Sequence, residues 1–152
     1  MAKIGQRYGT SSEKEREGVW VNLGDDLRVK IARANNPTHS KATERLIKPF
    51  RRQVLNNTLP QEKQVEITVK AMATGIVKDW EGLEDDDGKT IDYSVDSCVE
   101  LLTDYKDFRE EIAEISQSME MFRNEEIEEE VKNSQATLSG SSSGKTTPKQ
   151  SK

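Results

Sequence analysis

The sequence predicts a mainly α protein, a single small helical domain with an N-terminal β-hairpin and disordered termini. Three observations predict it. Apolar residues recur at threes and fours from Val65 to Trp80 and again from Phe108 onward, the period of a helix with one buried face. Val19, Val21 and Leu23 alternate, as do Leu27, Val29 and Ile31, on either side of Gly24-Asp25-Asp26, the pattern of two half-buried strands joined by a turn. The ends are poor in apolar residues, and the whole chain is 32% hydrophobic against 34% charged, so the core has to be small.

Taken in order, residues 1–17 are polar and end in the alternating charges EKERE, which predicts a disordered leader. The hairpin covers residues 18–33. Two strands alone are marginal in water, so it must lie on a helix or pair with another chain. Trp20 falls on the face opposite Val19 and Val21, either covering a neighbouring helix or forming part of a contact surface. Asn35-Asn36-Pro37 ends the hairpin. A helix over about residues 40–56 carries Leu46, Ile47, Phe50 and Val54 on its apolar side, with Pro49 placed to kink or split it.

Pro60 suits the first turn of a helix over residues 60–80, whose apolar face runs Val65, Val69, Met72, Ala73, Ile76 and Trp80 and which Gly82 terminates. The alternation of Val65, Ile67 and Val69 also fits a strand start, and the longer helical pattern outweighs it. Asp87-Gly88 forms a tight turn, and Ser94 caps a helix over residues 94–105 with Asp96 near the positive end of its dipole. Phe108, Ile112, Ile115, Met119, Phe122, Ile127 and Val131 are spaced 4, 3, 4, 3, 5 and 4, which predicts one long helix over residues 107–132. Its other face is acidic, ending in Glu125, Glu126, Glu128, Glu129 and Glu130, which oppose the dipole and one another. Residues 134–152 are serine, glycine, threonine and lysine, a flexible tail. The folded domain is then residues 18–133, with Trp80, Leu101, Leu102, Phe108 and Ile112 as its core anchors.

Charge is unevenly spread. Residues 1–57 hold twelve Lys and Arg against six Asp and Glu, residues 58–133 eight against twenty-two, and residues 134–152 three Lys and no acid, for a total of −5. Such polarity suits self-neutralising packing or two surfaces for different partners. No run approaches the ~20 apolar residues of a membrane span, and the N-terminus lacks the apolar stretch of a signal peptide, so the cytoplasm is the expected location.

Four places in the chain invite a chemical reading. Aligning Gly88 with the glycine of a calcium-binding EF-hand loop puts Leu83 and Ser94 at its two end ligand positions, and the loop fails at both. His39 is the only histidine, and no second His or Cys is near it in sequence. Gly140 and Gly144-Lys145-Thr146 are one residue too close for a phosphate loop. Cys98, the single cysteine, lies among Val95, Val99 and Leu102 at helical spacing and reads as an inert buried thiol. The expectation is a protein without cofactor, metal site or catalytic residues.

One basic cluster remains. Lys41, Arg45, Lys48 and Arg52 are spaced 4, 3 and 4, with Arg51 beside them. A solvated face, a contact for an acidic protein segment and a nucleic-acid surface are the three readings. The acidic total and the lack of interleaved aromatics other than Phe50 weigh against nucleic acid. The glutamate run of the last helix is an available acidic partner, in cis or from a second copy.

The order Trp80-Glu81-Gly82-Leu83, Asp87-Gly88-Lys89, Tyr93-Ser94 and Leu101-Leu102 is preceded by Val19-Trp20-Val21, a Gly-Asp turn, Ala32-Arg33, Asn35-Asn36-Pro37 and Lys48-Pro49-Phe50-Arg51. Together these resemble the tail assembly chaperones of long-tailed bacteriophages over roughly residues 18 to 110. The resemblance implies a non-enzymatic protein of the host cytoplasm, absent from the finished virion. It would coat the helical tape measure protein, keep it soluble and be displaced as tail tube subunits polymerise. It also implies a longer, frameshifted form that recruits the tube protein, with the tail of this chain as the linker.

The predicted binding surface is the far part of the long helix. Met119, Phe122, Ile127 and Val131 would give apolar contact, and Glu125, Glu126, Glu128, Glu129 and Glu130 solubility and register. The face formed by Lys41, Arg45, Lys48, Arg51 and Arg52 is the second candidate. The rival readings are a small structural tail or connector subunit that exchanges strands through its hairpin, and a nucleic-acid-associated regulator.

Overall fold

The computed structural model describes residues 1–124, which fall into two compact units, Met1–Ser11 with Arg123 and Asn124, and Ser12–Phe122. The first unit holds helix α1 (Ile4–Tyr8). Thr10 bridges Arg123, whose guanidinium donates to the Gln6 carbonyl at 2.8 Å.

The second unit runs α2 (Ser12–Glu17), β1 (Val19–Gly24), β2 (Leu27–Ile31), α3 (Pro37–Ile47), a 3-10 turn (Lys48–Phe50), α4 (Arg51–Leu55), α5 (Gln61–Gly75), β3 (Val77–Glu81), α6 (Val95–Asp104), α7 (Lys106–Ser116) and a 3-10 turn (Glu120–Phe122). The leader expected to be disordered thus carries two short helices. Its anchor is visible: the Arg33 amide donates to the Glu15 carbonyl at 2.9 Å, and the two side chains form an ion pair.

The three strands form an antiparallel sheet in the order β1-β2-β3. Val21, Val29, Ile31, Val77 and Trp80 project from it into the main core, where they meet Val69, Met72, Ala73 and Ile76, with Cys98, Leu102 and Ile112 from α6 and α7. The fold is therefore mixed α+β, which corrects the mainly α class that the pattern predicted. The missing piece is β3, read from sequence as the end of a helix over residues 60–80. Lys30 pairs with Asp79 but Ile31 pairs with Val77, so Lys78 is the extra residue of a β-bulge. A bulge shifts side-chain phase by one. Val77 and Trp80, three apart, consequently face the same core and imitate helical spacing.

The single helix expected over residues 40–56 is divided around Pro49 into α3, a 3-10 turn and α4. Ahead of it, Asn36 is buried and fully used. Its Oδ1 accepts the amides of Thr38 and His39, capping α3, and its Nδ2 donates to the carbonyls of Arg33 and Gly75 at 2.7 and 2.8 Å. This one side chain ties the start of α3 to the end of α5.

Beyond β3, Gly82 has φ +79°, and a Cβ there would overlap the Asp26 carbonyl in the hairpin turn. Glycine is required by both the dihedral and the space. In the acidic turn Asp85 Oδ1 accepts the amides of Asp87 and Lys89, each at 2.9 Å, so this carboxylate shapes its own loop. Ser94 caps α6 by accepting the Ser97 amide at 3.0 Å.

The long helix predicted over residues 107–132 is also corrected. α7 ends at Ser116, whose carbonyl accepts the Ala34 amide at 2.8 Å. A carbonyl engaged by another segment no longer guides the next helical turn.

Candidate functional site

The sequence-predicted anchors occupy two environments. Trp80, Leu102 and Ile112 are buried, while Leu101 and Phe108 are half-buried against the same core. Trp80 is held on two sides. Its Nε1 donates to the Ile91 carbonyl at 2.8 Å, and Tyr93 meets its ring edge-on at 5.0 Å between centroids. Tyr93 donates its hydroxyl proton to the Val77 carbonyl at 2.9 Å, and burial pushes its pKa up to about 12. Burial likewise pushes the Cys98 thiol up to about 12, so at neutral pH it is a protonated, packed group.

The apolar stripe predicted to bind a partner is not laid out as expected. Phe122 is 0% exposed and Met119 is half-buried, in and beside a 3-10 turn. Phe122 is therefore a packed residue and not a contact surface. Ile127, Val131 and the glutamates Glu125, Glu126, Glu128, Glu129 and Glu130 lie outside the described residues.

The basic residues fare differently. Lys41, Arg45, Lys48, Arg51 and Arg52 are all exposed, and among the described residues none of them forms an ion pair. Other cations do have partners: Lys63 and Lys70 both reach Glu66, at 3.3 and 3.2 Å, and Arg28 reaches Glu81.

Next to the two α4 arginines lies a groove of about 440 Å³ between α3, α4 and α5. His39, Thr43 and Ile47 stand at every fourth position of α3, and Gln64, Ile67, Thr68 and Ala71 face them from α5. Gln53 and Val54 of α4 line it too, together with Asn57 and Leu59 of the connection to α5, where Asn57 takes φ +56°. Val54 is 40% exposed and its neighbour Leu55 78%. Two adjacent exposed aliphatics beside a groove are an unusual concentration of apolar surface for so polar a chain.

His39 forms part of the wall. Its Nδ1 accepts the Asn35 amide at 2.9 Å, and burial lowers its pKa from the ordinary 6.5. The imidazole is accordingly a neutral acceptor with its other nitrogen carrying the proton. Sequence reasoning had put Ile47 and Val54 on the apolar side of one helix. It missed the groove because the break at Pro49 re-aims α4, and because the opposite wall comes from α5. The adjacent pair Val54-Leu55 just before Asn56-Asn57 was the available signal.

No helix among the described residues is long and apolar enough to cross a membrane. Comparison with curated proteins finds no match, and comparison with solved structures finds none either. A family model described as YdaY prophage protein matches residues 34–133, a span that includes all of α3, α4 and α5 and therefore the whole groove, and the chain accordingly belongs to the YdaY prophage protein family and is phage-derived.

Proposed function

We propose that this prophage protein is a non-enzymatic tail assembly chaperone. It binds the tape measure protein in the host cytoplasm, keeps it soluble until tube subunits polymerise around it, and is absent from the finished virion. A longer form that recruits tube protein belongs to the same proposal. The observation that carries it is the groove between α3, α4 and α5, with exposed Val54 and Leu55 beside it and with Arg51 and Arg52, which form no ion pair among the described residues, just ahead of its lining residues Gln53 and Val54 in the chain. An amphipathic helix offers apolar side chains at i, i+3 or i+4, and i+7. Such a row suits an apolar groove, and acidic residues on its flank suit the two arginines.

Magnitudes fit a reversible contact. Val54 is 40% and Leu55 78% exposed, so covering what remains of both contributes about 2–4 kcal/mol, less than the ~8 kcal/mol of a micromolar complex. The charged rim must supply part of the remainder, and a complex built this way can be displaced by polymerising subunits. The resemblance of residues 18 to 110 to tail assembly chaperones, set out above, supports the same reading.

The test is a double substitution, Val54→Asp with Leu55→Asp, in a strain that co-expresses the tape measure protein of the same prophage. Circular dichroism and thermal midpoint should stay unchanged, because both side chains are exposed, while the tape measure protein stops co-purifying and precipitates. If the variant still keeps it soluble, the groove is not the contact. Detection of the protein in purified virions would favour the structural-subunit reading, and salt-dependent DNA binding lost in Arg51→Glu would favour the regulator.

A further inference from the structure

A sheet leaves each edge strand with a row of unpaired amides and carbonyls, and folded proteins guard such edges with charges, prolines or bulges. The two edges here are guarded unequally. β3 carries Lys78, Asp79 and Glu81 and bulges at Lys78. β1 reads VWVNLG, without a charge or a proline, and its one irregularity lies at the turn, between Asn22 and Gly24. Among the described residues no strand lies beyond it. Apart from the Gly24 amide, which Asn22 Oδ1 accepts at 2.9 Å, no backbone group of β1 has a partner outside β2 among the described residues.

Side chains along this edge are prepared for a neighbour. Trp20 is 38% exposed, and its ring is held in place by the Arg28 guanidinium, 4.7 Å from its centroid. Val19 and Leu23 are only half-buried at the margin of the core, on either side of buried Val21.

We propose that β1 pairs antiparallel with β1 of a second copy, about a two-fold axis at Val21, so that two sheets become one continuous sheet. Face parity and burial select the register. Facing residues of an antiparallel pair share a face, so the axis must pass through a residue and not between two. With the axis at Val21, Val19 meets the partner's Leu23, Val21 meets its own copy, and Trp20 meets the partner's Asn22. Every core-facing residue of the edge then opposes an apolar one. Centring on Trp20 would set Leu23 against Glu17, and centring on Asn22 would set Val19 against Asp25. β1 itself bears no charge, so within the strand the two-fold brings no like charges together; the acidic Glu17 and Asp25 come opposite each other only beyond its two ends.

Light scattering of the full chain should give twice the chain mass. Trp20→Lys with Asn22→Lys puts like charges opposite each other twice and should halve that mass, with the circular dichroism spectrum kept. Trp20→Lys with Asn22→Glu puts opposite charges at the same positions and should restore the dimer, an outcome specific to this register. A wild-type chain that is monomeric at high micromolar concentration overturns the proposal, as does a double-lysine variant that stays dimeric. Hydrogen exchange on the unmodified chain keeps the test independent of variant folding, since β1 amides should gain protection as concentration rises. Protection of β1 that appears only when a tape measure or tube protein is added means the edge takes a foreign strand, and equally overturns it.

Discussion

Gly75 near the end of α5 rests against the backbone of His39 in α3: a Cβ on Gly75 would lie 2.7 Å from the His39 Cβ and closer still to its Cα and amide nitrogen. The contact sets how closely the two helices that wall the groove approach each other. Helix propensity alone would favour alanine over glycine here by about 1 kcal/mol. Backbone cannot swing aside as a flexible side chain can, so overpacking decides the sign. Gly75→Ala should destabilise the protein by about 1–3 kcal/mol in urea denaturation, and should also weaken the Asn36 bond to the Gly75 carbonyl. An unchanged or raised midpoint would show that α3 and α5 leave room for a Cβ between them.

His39 links the same wall to pH. Its folded pKa is lowered by burial from 6.5, and protonation would also forfeit the Asn35 amide bond to Nδ1. Between the lowered folded value and the unfolded value, the unfolded chain binds more protons than the folded one, so stability rises with pH across that window. Stability is full above the unfolded value and is lost as pH falls through the folded one. His39→Gln, which does not titrate, should flatten the difference in unfolding free energy measured between about pH 5 and 7. Carboxylates titrating lower down affect both proteins alike, so identical slopes would refute the assignment.

Trp80 tests the third strand. Trp80→Ala should cost about 3–5 kcal/mol, the range for a large buried aromatic. Trp80→Phe keeps most of the packing but strips the Ile91 carbonyl of its donor, for about 1–3 kcal/mol. Near-ultraviolet circular dichroism of the Phe variant should lose the signal of a fixed indole set against Tyr93. A Trp80→Ala protein as stable as the parent would remove β3 from the core.

What could be read from the chain is what neighbouring residues decide among themselves. The alternation around Gly24-Asp25-Asp26 produces paired β1 and β2, Ser94 caps its helix, and Pro49 interrupts one. In each case the side chain acts on backbone groups a few residues away. The basic residues from Lys41 to Arg52 are exposed, but the break at Pro49 distributes them over α3, a 3-10 turn and α4.

Tertiary structure alone decided the rest. Val77 and Trp80 keep helical spacing in a strand because β2 imposes a bulge on β3, and the helix begun at Lys106 stops at Ser116 where Ala34 takes its carbonyl. Phe122 continues an apolar period yet is packed away. The groove takes its walls from α3 and α5, which come together where Gly75 meets the backbone of His39. Periodicity records which residues want to leave water; which backbone they then lie against is set by partners tens of residues distant, and no local pattern carries that information.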